Sequence, residues 1–203
     1  EYVDRVFGFL NRNELYDTGE VESSRKIQYD LFECIGKIIQ YQHVLESFPA
    51  AVMHGDLHMR NIMVYGLENG RSSDLKFKLI DLEFLHPKGD AAFDAGQLLI
   101  DIELVSREER QFNGREELQK LKDKLEANYK WYSHQREDEH FEIRMELAKA
   151  RALLRIAKGK TKRGQQHIND NQSAQATRLA QDLIGHAHEA LEYLRYVSSK
   201  ISP

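Results

Sequence analysis

The stretch "VMHGDLHMRNIMVYG", residues 52–66, packs two histidines, an aspartate and an asparagine between two apolar runs. A chain that only had to turn would use glycine, proline or a small polar residue there, so this composition asks for a chemical reason. It also separates two patterns. Upstream, Ile27, Leu31, Ile35, Ile38, Ile39 and Leu45 recur at helical steps and predict one face of a long helix ending before Pro49. Downstream, "NIMVYGL" and "LKFKLIDLEF" are rich in branched and aromatic residues and flank "ENGRSSD", whose Asn69-Gly70 pair is a strong hairpin-turn signal. Beyond Pro87 the periodicity is helical again, with helices expected over roughly 92–105, 114–133, 137–158 and 173–198. The last carries Leu179, Leu183, Ile184, Ala187, Leu191, Leu194 and Val197 on one stripe. Between the last two lies "KGKTKRGQQHINDNQ", polar and glycine-punctuated, read as a surface loop in preference to an anion-binding one. The expectation is a mainly α (α+β) chain, a single domain over 1–203, with a polar loop at 54–61, a β-hairpin at about 61–84 and a helical part at about 92–200.

Composition bounds the partners. The chain has 203 residues, 41% of them hydrophobic, enough for a substantial core. Its 29 Lys and Arg against 33 Asp and Glu leave a net charge of -4, which points to neither a nucleic-acid nor a membrane surface. The single cysteine, Cys34, falls in an apolar helical pattern and reads as a buried thiol in a reducing compartment. No apolar run approaches a membrane span, and "EYVDRVFGFLNRNE" lacks the form of a signal peptide, so a cytoplasmic location is expected.

As spacing, the opening stretch gives His54, Gly55, Asp56 and, five residues after the aspartate, Asn61. "HGDLHMRN" is similar to the protein-kinase catalytic loop H-R-D-L-x-x-x-N, with Gly55 in place of the arginine. Phosphoryl transfer needs a carboxylate to orient the acceptor hydroxyl and take its proton, and a second group to hold magnesium on the nucleotide phosphates. Asp56 suits the first task and Asn61 the second. A further carboxylate on the metal is required from a second segment, and "FKLIDLEF" brings Asp81 there, with Glu83 two residues on. Oxygen ligands of this kind are what magnesium prefers.

Rival readings use the same residues. His54, Asp56 and His58 at alternate positions have the residue types of a zinc or iron hydrolase cluster. Such clusters draw further histidines from matching motifs. The one H-x-H lies in "GHAH", where His186 and His188, two apart on a helix, point to different faces. Residue by residue, His58 also reads as a loop histidine packed on the hairpin, and Glu83 as a solvated strand-end charge.

"HGDLHMRN", then "LIDLEF", then "GDAAFDAGQLL" resemble, in order and spacing, the H-G-D-x-x-x-x-N, I-D-x-E and G-D-x-x-x-D motifs of the aminoglycoside phosphotransferase and choline kinase superfamily. The resemblance implies the helical C-terminal lobe of a protein-kinase-like fold, and an ATP-dependent kinase acting on a small-molecule hydroxyl. It implies Asp56 as catalytic base and Asn61 and Asp81 as magnesium ligands, with Glu83 as the second carboxylate of the D-x-E version. His54, Asn61 and Asp81 form the implied ATP-binding set. Asp94, at a helix start, corresponds to the structural aspartate that braces the catalytic loop.

The family's nucleotide-gripping lobe, with a glycine-rich loop and a strand-borne lysine, has no counterpart before His54, where only Gly8, Gly19 and Gly36 occur. The chain therefore reads as a C-terminal lobe whose N-terminal lobe is absent, incomplete as a catalyst by itself. Its alternative is a non-catalytic binding or interaction module derived from such a kinase. Trp131, Tyr129 and Tyr132 are candidates to stack on an acceptor, or equally a core or groove wall.

Overall fold

The computed structural model describes residues 1–12, 20–66, 75–108, 114–170 and 172–201, and is mainly helical with an embedded β-hairpin, as expected. The chain divides into two compact units, residues 1–46 with 149–203 and residues 47–148. Among the described residues no helix is long and apolar enough to cross a membrane.

Among its described residues the first unit is built of helices. Helix α1 (Tyr2–Arg12), outside the elements expected from sequence, buries Val3, Val6, Phe7 and Leu10, an i, i+3, i+4, i+7 stripe. Helix α2 (Glu20–Gln40) buries Ile27, Leu31, Cys34 and Ile38, and the short α3 (Gln42–Leu45) adds Leu45. Ile35 is only half-buried and Ile39 is exposed, so the stripe is narrower than expected. Cys34 is buried as read, and burial pushes its thiol pKa up. Helix α7 (Ser173–Ile201) packs on α1 and α2 through Leu183, Ala187, Leu191, Leu194 and Val197, with Leu179 and Ile184 half-buried at its flanks.

Helix α6 (Phe141–Asn169) corrects the reading of "KGKTKRGQQHINDNQ" as a loop: residues 158–169 are helical. A Cβ at Gly164 would lie 2.5 Å from Phe9 Cζ and 3.3 Å from Leu179 Cδ2, so this glycine makes room for a packed ring and does not end the helix. Termination comes at Asn169, where the Asp170 and Gln172 amides donate to the Gln166 and His167 carbonyls.

Among its described residues the second unit carries two small antiparallel sheets. Strands β2 (Ile62–Tyr65) and β3 (Lys76–Leu79) form the expected hairpin in the register Ile62↔Leu79 to Tyr65↔Lys76, while the Asn69-Gly70 turn lies outside the described residues. The second strand stops earlier than "LKFKLIDLEF" suggested, because Asp81 turns left-handed and Leu82–Phe84 form a 3-10 turn. Strand β1 (Ala51–Met53) pairs with β4 (His86–Gly89) through a register shift that tolerates Pro87. Helices α4 (Ala91–Glu108) and α5 (Arg115–Gln135) pack on each other. Ala92, Ala95 and Leu99 of α4 bury against Phe141 and Met145, and Leu98 and Ile102 bury against Leu57 of the loop. Each large apolar side chain buried this way stabilises by about 1.5–3 kcal/mol.

Arg144 fastens this unit from within. Its Nε donates to Asp90 Oδ2 at 2.8 Å and its Nη2 to Asp138 Oδ2 at 2.7 Å, while its guanidinium lies over the Phe48 ring at 5.2 Å. Asp90 in turn accepts the Ala92 amide at the start of α4 at 3.0 Å, so one buried cation fixes where that helix begins.

Candidate active site

The loop from His54 to Asn61 leaves β1, closes through a 3-10 turn at Met59–Asn61 and enters β2. It is held by one face of α4. Asp94 Oδ2 accepts the His54 amide at 2.6 Å and Asp94 Oδ1 accepts the Gly55 amide at 3.0 Å. Three residues on, Gln97 Nε2 donates to Asp56 Oδ1 at 2.7 Å. Four further on, Asp101 Oδ2 accepts the Met59 amide at 2.7 Å. Positions i, i+3 and i+7 of a helix share a face, and Leu98 of that face packs on Leu57. The loop therefore takes its shape from α4.

Within the loop, Asp56 N donates to His54 Nδ1 at 3.3 Å, so Nδ1 is the acceptor and Nε2 carries the proton that meets Ile80 O at 2.8 Å. Asn61 Nδ2 donates to Asp56 O at 3.0 Å, and Ile80 N donates to Asn61 O at 3.0 Å. These bonds bring His54, Asp56, Asn61 and the strand end at Ile80-Asp81 together. His54, Asp56, Asn61 and Asp94 are buried, whereas Asp81 and Glu83 are exposed and His58 is half-buried. His58 Nε2 lies 4.0 Å from Asp56 Oδ2.

Two backbone positions here are left-handed. Gly55 has φ +82°, and a Cβ there would come within 2.5 Å of Phe84 O, so no larger residue fits and arginine could not stand here. Asp81 sits at φ 61°, ψ 55°, a left-handed conformation that aspartate tolerates better than most residues. It places an exposed carboxylate directly after the end of the hairpin.

Burial pushes the Asp94 carboxyl above its ordinary range, opposed by the His54 and Gly55 amides that it accepts, with the Asp56 charge adding to the rise. Burial also raises the Tyr129 phenol, with a smaller push from Asp94.

The donor set expected for magnesium fits a hard cation in kind. Asn61 commits its Nδ2 to Asp56 O, which leaves its carbonyl oxygen, and Asp81 and Glu83 supply carboxylates. Among the described residues no three His, Cys, Asp or Glu side chains are grouped to hold a metal ion.

The aromatic cluster divides. Tyr129 stacks on Phe141 with ring centroids 6.5 Å apart and belongs to the core wall. Trp131 and Tyr132 are exposed and, with Ala91, Leu125, Asn128 and Tyr129, line a cavity of about 540 Å³. Gln97 was outside the expected site residues; its one sequence signal is its spacing from Asp94 and Asp101 on a helix otherwise apolar at that point.

No family model matches the chain, and neither a curated protein nor a solved structure matches it.

Proposed function

We propose that the chain is the catalytic and acceptor-binding lobe of an ATP-dependent phosphotransferase that moves the γ-phosphoryl group to a hydroxyl of a small molecule. The observation that carries this reading is the bonded set His54, Asp56, Asn61 and Ile80-Asp81, gathered at one loop and one hairpin end and braced by Asp94. A module without chemistry has no need to bury an aspartate beside an asparagine and follow the hairpin with a left-handed aspartate.

Asp56 orients the acceptor hydroxyl and takes its proton. Asn61, Asp81 and Glu83 would hold magnesium, which when bound neutralises charge on the phosphates. His54 ties the loop to the second hairpin strand through Ile80 O and so sets the distance between Asp56 and Asp81. Asp94 acts on the loop's backbone. A cytoplasmic location accompanies this reading, in keeping with the single buried thiol of Cys34. The described residues carry no glycine-rich strand pair, so in this reading the nucleotide-gripping lobe is supplied by other residues of a parent protein or by another chain.

The alternative, a non-catalytic interaction module that keeps this fold, draws on the hairpin region, where Val64, Phe77, Leu82, Phe84 and Leu85 are all exposed. Magnesium-dependent ATP consumption by the longest natural form, across a panel of hydroxyl metabolites and beside Asp56→Asn, separates the two. Turnover abolished by the substitution is expected. Absence of turnover with every acceptor, together with no nucleotide binding by calorimetry, transfers the assignment to the interaction module.

A further inference from the structure

We propose that Gln97 is a positioning residue for Asp56: its side-chain amide holds Oδ1 and so sets how the carboxylate faces the acceptor hydroxyl. The inference rests on the phosphotransferase reading above. Gln97 and Asp56 are 8% and 9% exposed and meet at 2.7 Å, a distance that marks a good bond to a carboxylate.

The neighbouring ties show what is distinctive about this one. Asp94 and Asp101, before and after it on the same face of α4, are acceptors and both take backbone amides of the loop. Gln97 is a donor, and it reaches the side chain. The helix thus fixes the loop's path with two carboxylates and the orientation of the Asp56 carboxylate with one amide. A neutral donor suits that task. An arginine or lysine at position 97 would orient Asp56 equally well but would form an ion pair, drawing charge from the oxygen that must accept a proton.

With Oδ1 engaged, the second oxygen, Oδ2, lies on the His58 side, 4.0 Å from Nε2. In the transfer, the acceptor oxygen forms a bond to the γ-phosphorus of the nucleoside triphosphate while the bond from that phosphorus to the β–γ bridging oxygen breaks. The electron pair of the broken bond leaves with the nucleoside diphosphate, and the hydroxyl proton passes to the Asp56 carboxylate. Loss of the Gln97 bond would let the carboxylate shift from the productive geometry, and misplacements of about 1 Å reduce such reactions on the order of 100-fold.

The test compares Gln97→Met and the isosteric Gln97→Glu with the unaltered protein in the longest natural form. Both variants are expected to lower kcat by about 10- to 100-fold with KM for ATP within about twofold. Agreement of two chemically different replacements guards against a folding defect in either one. A readout independent of turnover accompanies it: the Gln97 side-chain amide protons, followed by NMR, are expected to be shifted and protected, and to lose both properties in Asp56→Ala. Unshifted, unprotected amide protons, or a kcat within about twofold of the unaltered value in both variants, overturn the inference. If Asp56→Asn still abolishes turnover in that case, the kinase reading stands without it. Absence of turnover in the unaltered protein with the amide signature present removes the kinase reading instead, and the positioning role with it.

Discussion

Gly55 lies directly beneath Phe84: a Cβ on Gly55 would stand 2.5 Å from the Phe84 carbonyl oxygen and 2.9 Å from its Cβ. The loop and the 3-10 turn after the hairpin are therefore in backbone contact, which couples Asp56 on one to Asp81 and Glu83 on the other. Gly55→Ala meets both the contact and a φ of +82°. It is expected to lower stability by on the order of 2–3 kcal/mol, read as a fall in denaturant midpoint. Phe84→Ala cannot rescue it, because both contacting atoms persist in alanine. A Gly55→Ala protein as stable as the original would mean the loop is not held against this turn.

Asp94→Ala removes the acceptor of two buried amides, His54 and Gly55. Each buried donor left unpaired costs about 1–3 kcal/mol, so the loss should fall at roughly 2–4 kcal/mol. Asp94→Asn keeps one oxygen and should lose less. The pH dependence has a definite sign. The folded state holds the Asp94 proton more tightly than the unfolded chain does, because burial raises its pKa. Its contribution is therefore fully present below the ordinary aspartate value, about 3.9, and is lost as pH rises through its own higher value. Urea unfolding between pH 3.5 and 6 should show the stability gap between the protein and Asp94→Asn narrowing as pH rises. A gap independent of pH would contradict the assignment.

The Glu103–Lys122 pair ties α4 to α5 and gives a slope of the opposite sign. Glu103 Oε2 meets Lys122 Nζ at 2.5 Å and its other oxygen meets Arg107, with the Glu103 and Lys122 side chains mostly buried. Burial alone would raise the carboxyl, but the hydrogen bond and charge of Lys122, with help from Arg107, outweigh it and hold the Glu103 pKa below the ordinary range. The stability this supplies is present above the ordinary glutamate value, about 4.3, and is lost as pH falls toward the lower folded value. A double-mutant cycle with Glu103→Gln and Lys122→Met should give a coupling of about 1 kcal/mol at pH 7, shrinking toward zero near pH 3. Coupling unchanged by acid would mean the pair is not electrostatic.

The parts of this arrangement that could be read from sequence are the local ones. His54, Asp56 and Asn61 lie within eight residues and Asp81 ends an apolar strand, so spacing drew attention to these four, while Asp94 entered only through the resemblance of "GDAAFDAGQLL" to a family motif. The β2–β3 hairpin, helices α2, α4, α5 and α7 and the first part of α6 followed from periodicity, whereas α1 did not. What escaped depends on contacts distant in sequence. Strand β1 is three residues long and its partner contains Pro87, so neither has the composition of a strand; pairing across 32 intervening residues makes them one. Gln97 belongs to no motif and acquires its meaning from the register of α4 against the loop. Residues 159–169 have loop-like composition, and tertiary packing overrides it.

Two glycines of α6 separate propensity from packing. Gly159 has nothing within 4 Å of where a Cβ would stand, whereas at Gly164 the Cβ would meet the Phe9 ring at 2.5 Å. Both are in mid-helix, where alanine is intrinsically better than glycine by about 0.5–1 kcal/mol. Gly159→Ala should therefore raise the melting temperature, by a few degrees at most. Gly164→Ala should lower stability by about 1–3 kcal/mol, because the ring must shift in a filled core. Phe9→Leu, which shortens the side chain at the point of contact, should reduce the penalty of Gly164→Ala relative to its effect in the unaltered protein. If both glycine substitutions stabilised equally, Gly164 would not be packed on Phe9, and the helix would extend through 158–169 for reasons of its own propensity.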